Sequence, residues 1–577
     1  MNLEYMLKDE TYKYIYGSLV EDKAYDQNEF KKQYCGKNDW VVAQLLLKSN
    51  EDMQICVNED TTFYPKGTIE EVRVEVNVDG MSNENIQVHL VGLIQDDDSC
   101  YKSDLLLNQK NIIVEAGKEQ AIWIEIFIDK HIPKGIYKPM ISLYNKHLFE
   151  DEVLIHEIEY EFEVLDISLD DPRDYQFHLD LWQHNSNIAR QYNVDLWSDE
   201  HFDIIENYIK SLANLGQKVI SVIVSEMPWS GQDTMHNKID DSNLFEYNMA
   251  RIVYSKEGQW VYDFSAMERY INICLKYGID KEIEVFGLSN IWLFEDVGFG
   301  RIIEDVKDGI RLRYYDENQH LFRYIRKKEE LAGYVKALEQ FFIEKGLIHK
   351  VRILADEPAK LDEFINKISV FNEMAKGFQY KVAINNIDLM GENIPHVVDY
   401  CPSLGCTCDK YEELHDLKEK VDGVITYYVC CGPEYPNTFI KSPAIEARII
   451  PWIAWVLDLD GFLRWNYTAW PKDPLNKIAI KYPYWPAGDT NFVYPGKDGI
   501  PILTIRYMNL KRGIRDYEII NRYVSTFDAK EEVNHMLKDV FYWERLSDIN
   551  YKKPQEIYSF DYEAYNNIIN HMLKKLS

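Results

Sequence analysis

Of the 577 residues, 46% are hydrophobic and 28% charged, the composition of a globular chain too long for one ordinary core. Acidic residues outnumber basic ones 96 to 64, a formal charge of −32, which argues against nucleic acid and anionic membrane surfaces as partners. Aromatic residues reach 14%, including 41 Tyr and 13 Trp, a content that serves sugar stacking or a large aromatic core equally well.

The opening "MNLEYMLKDETYKY" has no basic n-region and no long apolar run, so no signal peptide is expected. No apolar run is long enough to span a bilayer. A cytoplasmic protein without membrane insertion is the expectation. Up to residue 168 the pattern is β. Val72, Val74, Val76 and Val78 alternate with polar residues, as do Ile122, Ile124, Ile126 and Ile128, and Ile158, Tyr160, Phe162 and Val164. Period-two alternation marks strands with one buried face. Turn signals such as "EAGKE" and "IPKG" separate them. Residues 1–168 are therefore expected to form a β-sandwich, followed by a polar linker, "DISLDDPRDY".

From Phe177 short apolar strands alternate with amphipathic helices. In "EELAGYVKALEQFFIEKG", Leu331, Tyr334, Val335, Leu338, Phe341 and Phe342 fall at helical spacing and Gly346 marks the stop. Strands are expected to start near Phe177, Val219, Glu282, Val351, Lys381, Tyr400, Gly423 and Gly461, the complement of a (β/α)8 barrel. The predicted fold class is thus multidomain β plus α/β: an N-terminal β-sandwich, then a (β/α)8 TIM-type barrel with C-terminal helices over residues 169–577. The stretch from Trp292 to Arg326 fits no element of this scheme. Nine scattered cysteines suit reduced thiols. "CTC" at Cys406 and Cys408 and "CC" at Cys430 and Cys431 lack zinc-site spacing, so they read as core or strand-end residues and no metal site is expected.

The fourth barrel strand, "VRILADEP", runs into two adjacent acids, Asp356 and Glu357. Barrel active sites lie at the C-terminal strand ends. Other strand ends carry Trp182, His184, Glu226, Asn290, Asn385, Asn386, Tyr427, Tyr428, Trp465 and Asn466. Amides and acids hydrogen-bond hydroxyls and indoles stack on sugars, so Trp182, His184, Glu226, Asn290, Asn386, Tyr427, Tyr428, Trp465 and Asn466 are candidate substrate-binding residues. Taken singly, each also reads as a turn or core residue; their coincidence at one end of a barrel points to a site. Adjacent strand residues face opposite ways, so both acids reach one substrate only if the strand ends there. Pro358 is expected to hold Glu357 extended. Repulsion and partial burial then raise one pKa, giving a protonated acid beside an ionised partner.

"ILADEP", together with "WNYTAW…DP…YWPAGDTNFVYPGKDG…TIRYMNLKRGIRDYE" from Trp465 to Glu518, resembles glycoside hydrolase family 123. The resemblance implies an exo-acting, retaining β-N-acetylgalactosaminidase that releases terminal β-linked GalNAc from oligosaccharides, glycosphingolipid-type glycans included. It implies substrate-assisted catalysis: the 2-acetamido oxygen attacks C1, Glu357 serves as acid and base, and Asp356 supports the acetamido group. No metal or organic cofactor is implied. Two alternatives stay open. One is another hexosaminidase or a conventional two-carboxylate glycosidase using Glu226 or Asp180; the other is a non-catalytic sugar-binding protein. In "RGIRDYE", Arg512 and Asp516 stand four apart and are expected to pair along a helix.

Overall fold

The computed structural model describes residues 1–16, 30–57, 70–228, 245–291, 293, 295, 298–476 and 485–577. The N-terminal region is β-rich. Its longest strand, Asp39–Ser49, pairs antiparallel with Leu3–Lys8 on one side and Glu119–Ile128 on the other. A second sheet is built around Glu70–Val78, Pro139–His147 and Val153–Glu159. The expected alternation explains their contact: Val41, Ala43, Leu45 and Leu47 from one sheet share a core with Val72, Val74, Val76 and Val78 from the other.

The opposite face of the first sheet is buried too. Trp40, Val42, Leu46, Ala121 and Trp123 belong to the same core as the residues C-terminal to 177. The two regions are also joined by backbone and by charge. Leu503–Thr504 adds to the strand Tyr101–Leu106, and arginines of a long helix reach back into the N-terminal sheet.

Among the described residues beyond 177, one set of eight strands pairs in parallel: β1 (His178–Leu181), β2 (Val219–Ile223), β3 (Glu282–Phe286), β4 (Val351–Asp356), β5 (Gln379–Ile384), β6 (Val397–Pro402), β7 (Thr426–Tyr428) and β8 (Gly461–Arg464). Each starts within three residues of the position read from the sequence. β2 to β6 pair in sequence order, and β7 and β1 flank β8. Bridges Leu179–Gln217 and Tyr400–Ile425 link β1 to the start of β2 and β6 to the start of β7. Every strand therefore has a parallel neighbour on both sides and the pairing returns to its start. Side chains from alternate strands meet inside this circuit. Lys381 Nζ (β5) lies 2.7 Å from Asp180 (β1), 3.1 Å from Glu282 and 2.7 Å from Glu284 (both β3).

Three helices frame the strand ends and the junction with the N-terminal region: α1 (Leu361–Met374), α2 (Ala444–Val456) and α3 (Ile505–Phe527). The sequence stretch from Trp292 to Arg326, Trp292 itself lying outside the described residues, contributes a hairpin. Its strands Arg313–Asp316 and Leu321–Tyr324 complete a four-stranded sheet with Arg251–Tyr254 and Trp260–Asp263.

The expected Arg512–Asp516 pair does not form. Arg512 Nε instead lies 2.7 Å from Glu10 and Arg448 Nε of α2 lies 2.7 Å from Asp516. Arg515 pairs with Asp39 at 2.5 Å and Arg506 with Asp104 at 2.8 Å. The four-residue spacing is a rule for exposed helix faces. This face of α3 is buried, and buried charges need partners wherever the fold supplies them.

Candidate active site

β4 ends on Asp356, and the chain turns sharply at the next residue. The sequence predicts an extended Glu357 ahead of Pro358; its φ is instead +49°, in the left-handed region. Proline crowds the residue before it out of the right-handed helical region but leaves this one open, at a cost on the order of 1 kcal/mol. The Glu357 N–H donates to the Ala383 carbonyl at 3.0 Å, which holds the turn. Its effect is to bring two neighbouring side chains, which strand alternation would send apart, to one cavity.

That cavity has a volume of about 290 Å³ and is lined by Asp356, Glu357, Asn385, Ser403 and Tyr428, by Trp182, Trp465, Trp485, Ala383 and Leu463, and by Cys430, Cys431 and Gly432. Strand or strand-end residues of β1 and β4 to β8 thus converge on it. The two carboxylates differ in their surroundings. Glu357 accepts from the Tyr428 hydroxyl and, at 2.7 Å, from Asn385 Nδ2. Among the described residues no protein donor reaches the Asp356 carboxylate. Burial, reinforced by the charge of Glu357, pushes Asp356 well above the usual carboxylate range. Burial also raises Glu357, with the Tyr428 hydrogen bond opposing the rise.

The predicted site residues divide. Trp182, Tyr428 and Trp465 line the cavity with the acids. Trp465 donates its indole N–H to Asp489 at 3.3 Å and packs against Trp485, ring centroids 6.0 Å apart. Tyr427 points the other way, its hydroxyl bonded to the Ile450 carbonyl of α2 at 2.8 Å, because successive strand residues alternate. Asn386 also falls one residue out of phase: it caps a short turn and bonds the Ala359 carbonyl at 2.9 Å, while its neighbour Asn385 faces Glu357.

Three more predicted residues support the site from behind. Asn290 donates to the backbone carbonyl of Asp356 and accepts from Lys367 of α1 at 3.2 Å. His184 is buried, bonded to the Trp465 carbonyl at 2.5 Å, and burial pushes its pKa down to about 3, so it is neutral. Asn466 is buried and bonds the Gly488 carbonyl at 3.2 Å. Glu226 lies elsewhere, in a cavity of about 580 Å³. There Arg313 Nε is 2.7 Å away and the Tyr324 hydroxyl donates at 2.9 Å.

Trp485, Cys430 and Cys431 line the cavity without belonging to the set expected from sequence. The cysteines sit close enough to the end of β7 for their strand-end position to have placed them. Trp485 arrives on the long connection after β8, where no periodicity marks it. Among the described residues no group of three or more His, Cys, Asp or Glu side chains could hold a metal ion, and no helix is long and apolar enough to cross a membrane.

Two carboxylates and an amide facing three indoles across a small cavity form a surface on which hydroxyl groups can be bonded and a pyranose face covered. The model of the glycoside hydrolase 123 catalytic domain matches residues 182–523, a span that contains every residue lining the cavity. A family 123 glycoside hydrolase from Clostridium perfringens, whose structure concerns glycolipid glycan hydrolysis, superposes with a TM-score of 0.72 at 17% identity, covering 100% of this chain and 97% of that one. A GH5 xyloglucanase from Bacteroides ovatus superposes with a TM-score of 0.26 at 8% identity, over 84% of this chain and 98% of that one. No curated protein sequence matches. With a family model covering more than half of its length and its acid pair inside the matched span, the chain belongs to glycoside hydrolase family 123 and is a glycosidase.

Proposed function

We propose that the protein is a retaining exo-β-N-acetylgalactosaminidase working by substrate-assisted catalysis. Its eight parallel strands are read as a (β/α)8 barrel over residues 169–577, preceded by a β-sandwich over residues 1–168. One observation carries the mechanism: the two acids of the cavity are side by side, and the carboxylates that a conventional glycosidase would need opposite them are engaged elsewhere. Asp180 is bound to Lys381 within the strand circuit. Glu226 is paired with Arg313 in another cavity. A double-carboxylate mechanism needs its two acids on either side of the scissile bond, about 5–10 Å apart.

When the substrate carries its own nucleophile that requirement falls away. The 2-acetamido oxygen attacks C1 while the glycosidic C–O bond breaks, and Glu357 gives its proton to the leaving oxygen. The Asp356 carboxylate accepts from the acetamido N–H and stabilises the positive charge of the oxazolinium. Glu357, now ionised, takes a proton from water as it attacks C1, and the five-membered ring opens with configuration retained. The environments of the acids support this division. Before substrate binds, the pair resists double ionisation and the donors gathered on Glu357 leave the shared proton on Asp356. An acetamido N–H facing Asp356 favours its charged form and moves the proton to Glu357, where the leaving group needs it. Trp182, Trp465 and Trp485 form the walls against which the sugar packs. The substrate is an oligosaccharide with terminal β-linked GalNAc, glycolipid-type glycans included. The cysteine usage favours a reducing compartment, and we place the enzyme in the cytoplasm.

The test compares aryl β-glycosides of N-acetylgalactosamine, N-acetylglucosamine and galactose. The first should be cleaved best and the galactoside, which has no acetamido group, should be inert; a thiazoline mimic of the bicyclic intermediate should inhibit competitively. Brisk cleavage of the plain galactoside would overturn the mechanism.

A further inference from the structure

We propose that Cys430 and Cys431 form a dithiol modification site which a peroxide closes to a vicinal disulfide, disabling the cavity that holds Asp356 and Glu357. The consequence for catalysis rests on the proposed glycosidase function of that cavity; the chemistry rests on geometry. The two thiols lie on the cavity wall beside Tyr428 and Glu357, with their sulfurs 3.7 Å apart. Cys431 is exposed and Cys430 partly so; of the other seven cysteines six are buried, and the partly exposed Cys100 belongs to the N-terminal region. Reagents that enter the cavity thus meet two thiols already in contact.

Their contact also divides the labour. Cys430 shares its proton toward Cys431, which lowers the Cys431 pKa and raises that of Cys430. Cys431 is then the attacking sulfur. Its thiolate displaces hydroxide from hydrogen peroxide: an S–O bond forms, the O–O bond breaks, and the hydroxide leaves as water with a proton. Cys430 Sγ next attacks the resulting sulfenic acid. The S–S bond forms, the S–O bond breaks, and the second hydroxide departs as water with the Cys430 proton. Two thiols lose two electrons and two protons, and one peroxide becomes two waters.

Closure shortens the sulfur separation from 3.7 Å to about 2.0 Å, and the peptide between the two residues must turn to allow it. That peptide is tied to the site. The Cys430 carbonyl accepts from Asn437 Nδ2 at 3.0 Å, and Asn437 Oδ1 accepts from Arg464 at 2.9 Å. Arg464 in turn is 3.0 Å from Asp489, the acceptor of the Trp465 indole. Rotation at Cys430 therefore loosens the chain of bonds that sets the Trp465 wall, as well as the wall the cysteines form themselves.

The full chain should be treated with hydrogen peroxide and examined by non-reducing peptide mapping and by turnover of the aryl N-acetyl-β-galactosaminide. The expected result is a Cys430–Cys431 peptide lighter by about 2 Da, with a roughly 10- to 100-fold loss of kcat/KM that dithiothreitol restores. Each compared with its own untreated activity, C431S should show no loss that dithiothreitol reverses, and C430S, in which oxidation stops at a Cys431 sulfenic acid, should show a smaller one. A reversible loss in either variant equal to that of the unaltered chain would overturn the proposal, and so would a mapped disulfide with turnover unchanged. A mapped disulfide in a chain whose untreated form does not cleave the aryl N-acetyl-β-galactosaminide would instead overturn the proposed β-N-acetylgalactosaminidase function.

Discussion

Glu357 and Asp356 differ in what reaches them, and substitution should separate their roles. Glu357→Gln removes the proton donor, so turnover of substrates with poor leaving groups should collapse while activated aryl glycosides retain far more activity. Asp356→Asn keeps the shape of the cavity but removes the charge that supports the oxazolinium, and kcat should fall roughly 100-fold or more on both substrate types. Equal losses across leaving groups for Glu357→Gln, with chemistry rate-limiting, would remove it as the acid. Tyr428 supplies a finer test. Its hydroxyl bonds Glu357 and opposes the rise in that residue's pKa. Tyr428→Phe should therefore move the alkaline limb of kcat, which reports the substrate complex in which Glu357 holds the proton, to higher pH. An unmoved limb would show that another group sets it.

At this scale the two acids and three of the expected residues line one cavity, while Tyr427 and Asn386 stand one position out of it. Tyr427 and Tyr428, like Asn385 and Asn386, stand at a strand end where the side-chain period is two. A one-residue uncertainty in where the strand stops exchanges inside for outside. The left-handed turn at Glu357 was illegible for a different reason: proline restricts the residue before it without choosing among the remaining regions. Glu226 lines a second cavity, which a strand end does not foretell: it gives the face a residue lies on, not which cavity on that face.

At the scale of elements, α2 and α3 pack closely against each other. An added Cβ at Gly513 of α3 would lie 2.1 Å from the Arg448 carbonyl and 2.9 Å from Pro451 Cδ in α2. Gly513→Ala gains about 1 kcal/mol of helix propensity, yet backbone must move to admit the methyl, and overpacking of that kind costs about 1–3 kcal/mol or more. The displaced helix also carries Arg506, Arg512 and Arg515, whose buried ion pairs with Asp104, Glu10 and Asp39 would lengthen. The variant should melt several degrees below the parent by calorimetry; an unchanged or raised Tm would show that the helices can part without penalty. The strands of both regions were legible because alternation and βα spacing repeat locally. These arginine pairings were not, since Glu10 and Arg512 lie 502 residues apart and no spacing rule reaches that far.

For the whole molecule, Glu518 reports how burial couples stability to pH. Its carboxylate accepts from the Phe177 N–H at 2.8 Å, where the chain enters β1, and burial raises its pKa from 4.5 to about 7. The folded state thus holds a proton that the unfolded chain releases between these values. The contribution is fully present below the lower pKa and is lost as pH rises through the higher one. Relative to the parent, Glu518→Gln should be neutral or slightly destabilised near pH 4.5 and gain stability progressively up to pH 8, by at most about 3 kcal/mol. A stability difference between the two that does not change with pH would show that Glu518 titrates alike in the folded and the unfolded chain.

The partnership of Asp104 with Arg506, and of Leu503–Thr504 with the strand Tyr101–Leu106, bears on how the protein is made. Asp104 leaves the ribosome 402 residues before the arginine that neutralises it. At ordinary synthesis rates of about 5–20 residues per second, that is a wait of roughly 20–80 s. Throughout it the N-terminal sheet has an unfilled edge and buried-to-be carboxylates still in water. Glu10 and Asp39 wait for Arg512 and Arg515 in the same way. The nascent chain therefore reaches its final form only after nearly all of it has been translated, and a ribosome stalled before residue 503 holds a polypeptide whose N-terminal sheet cannot yet be sealed.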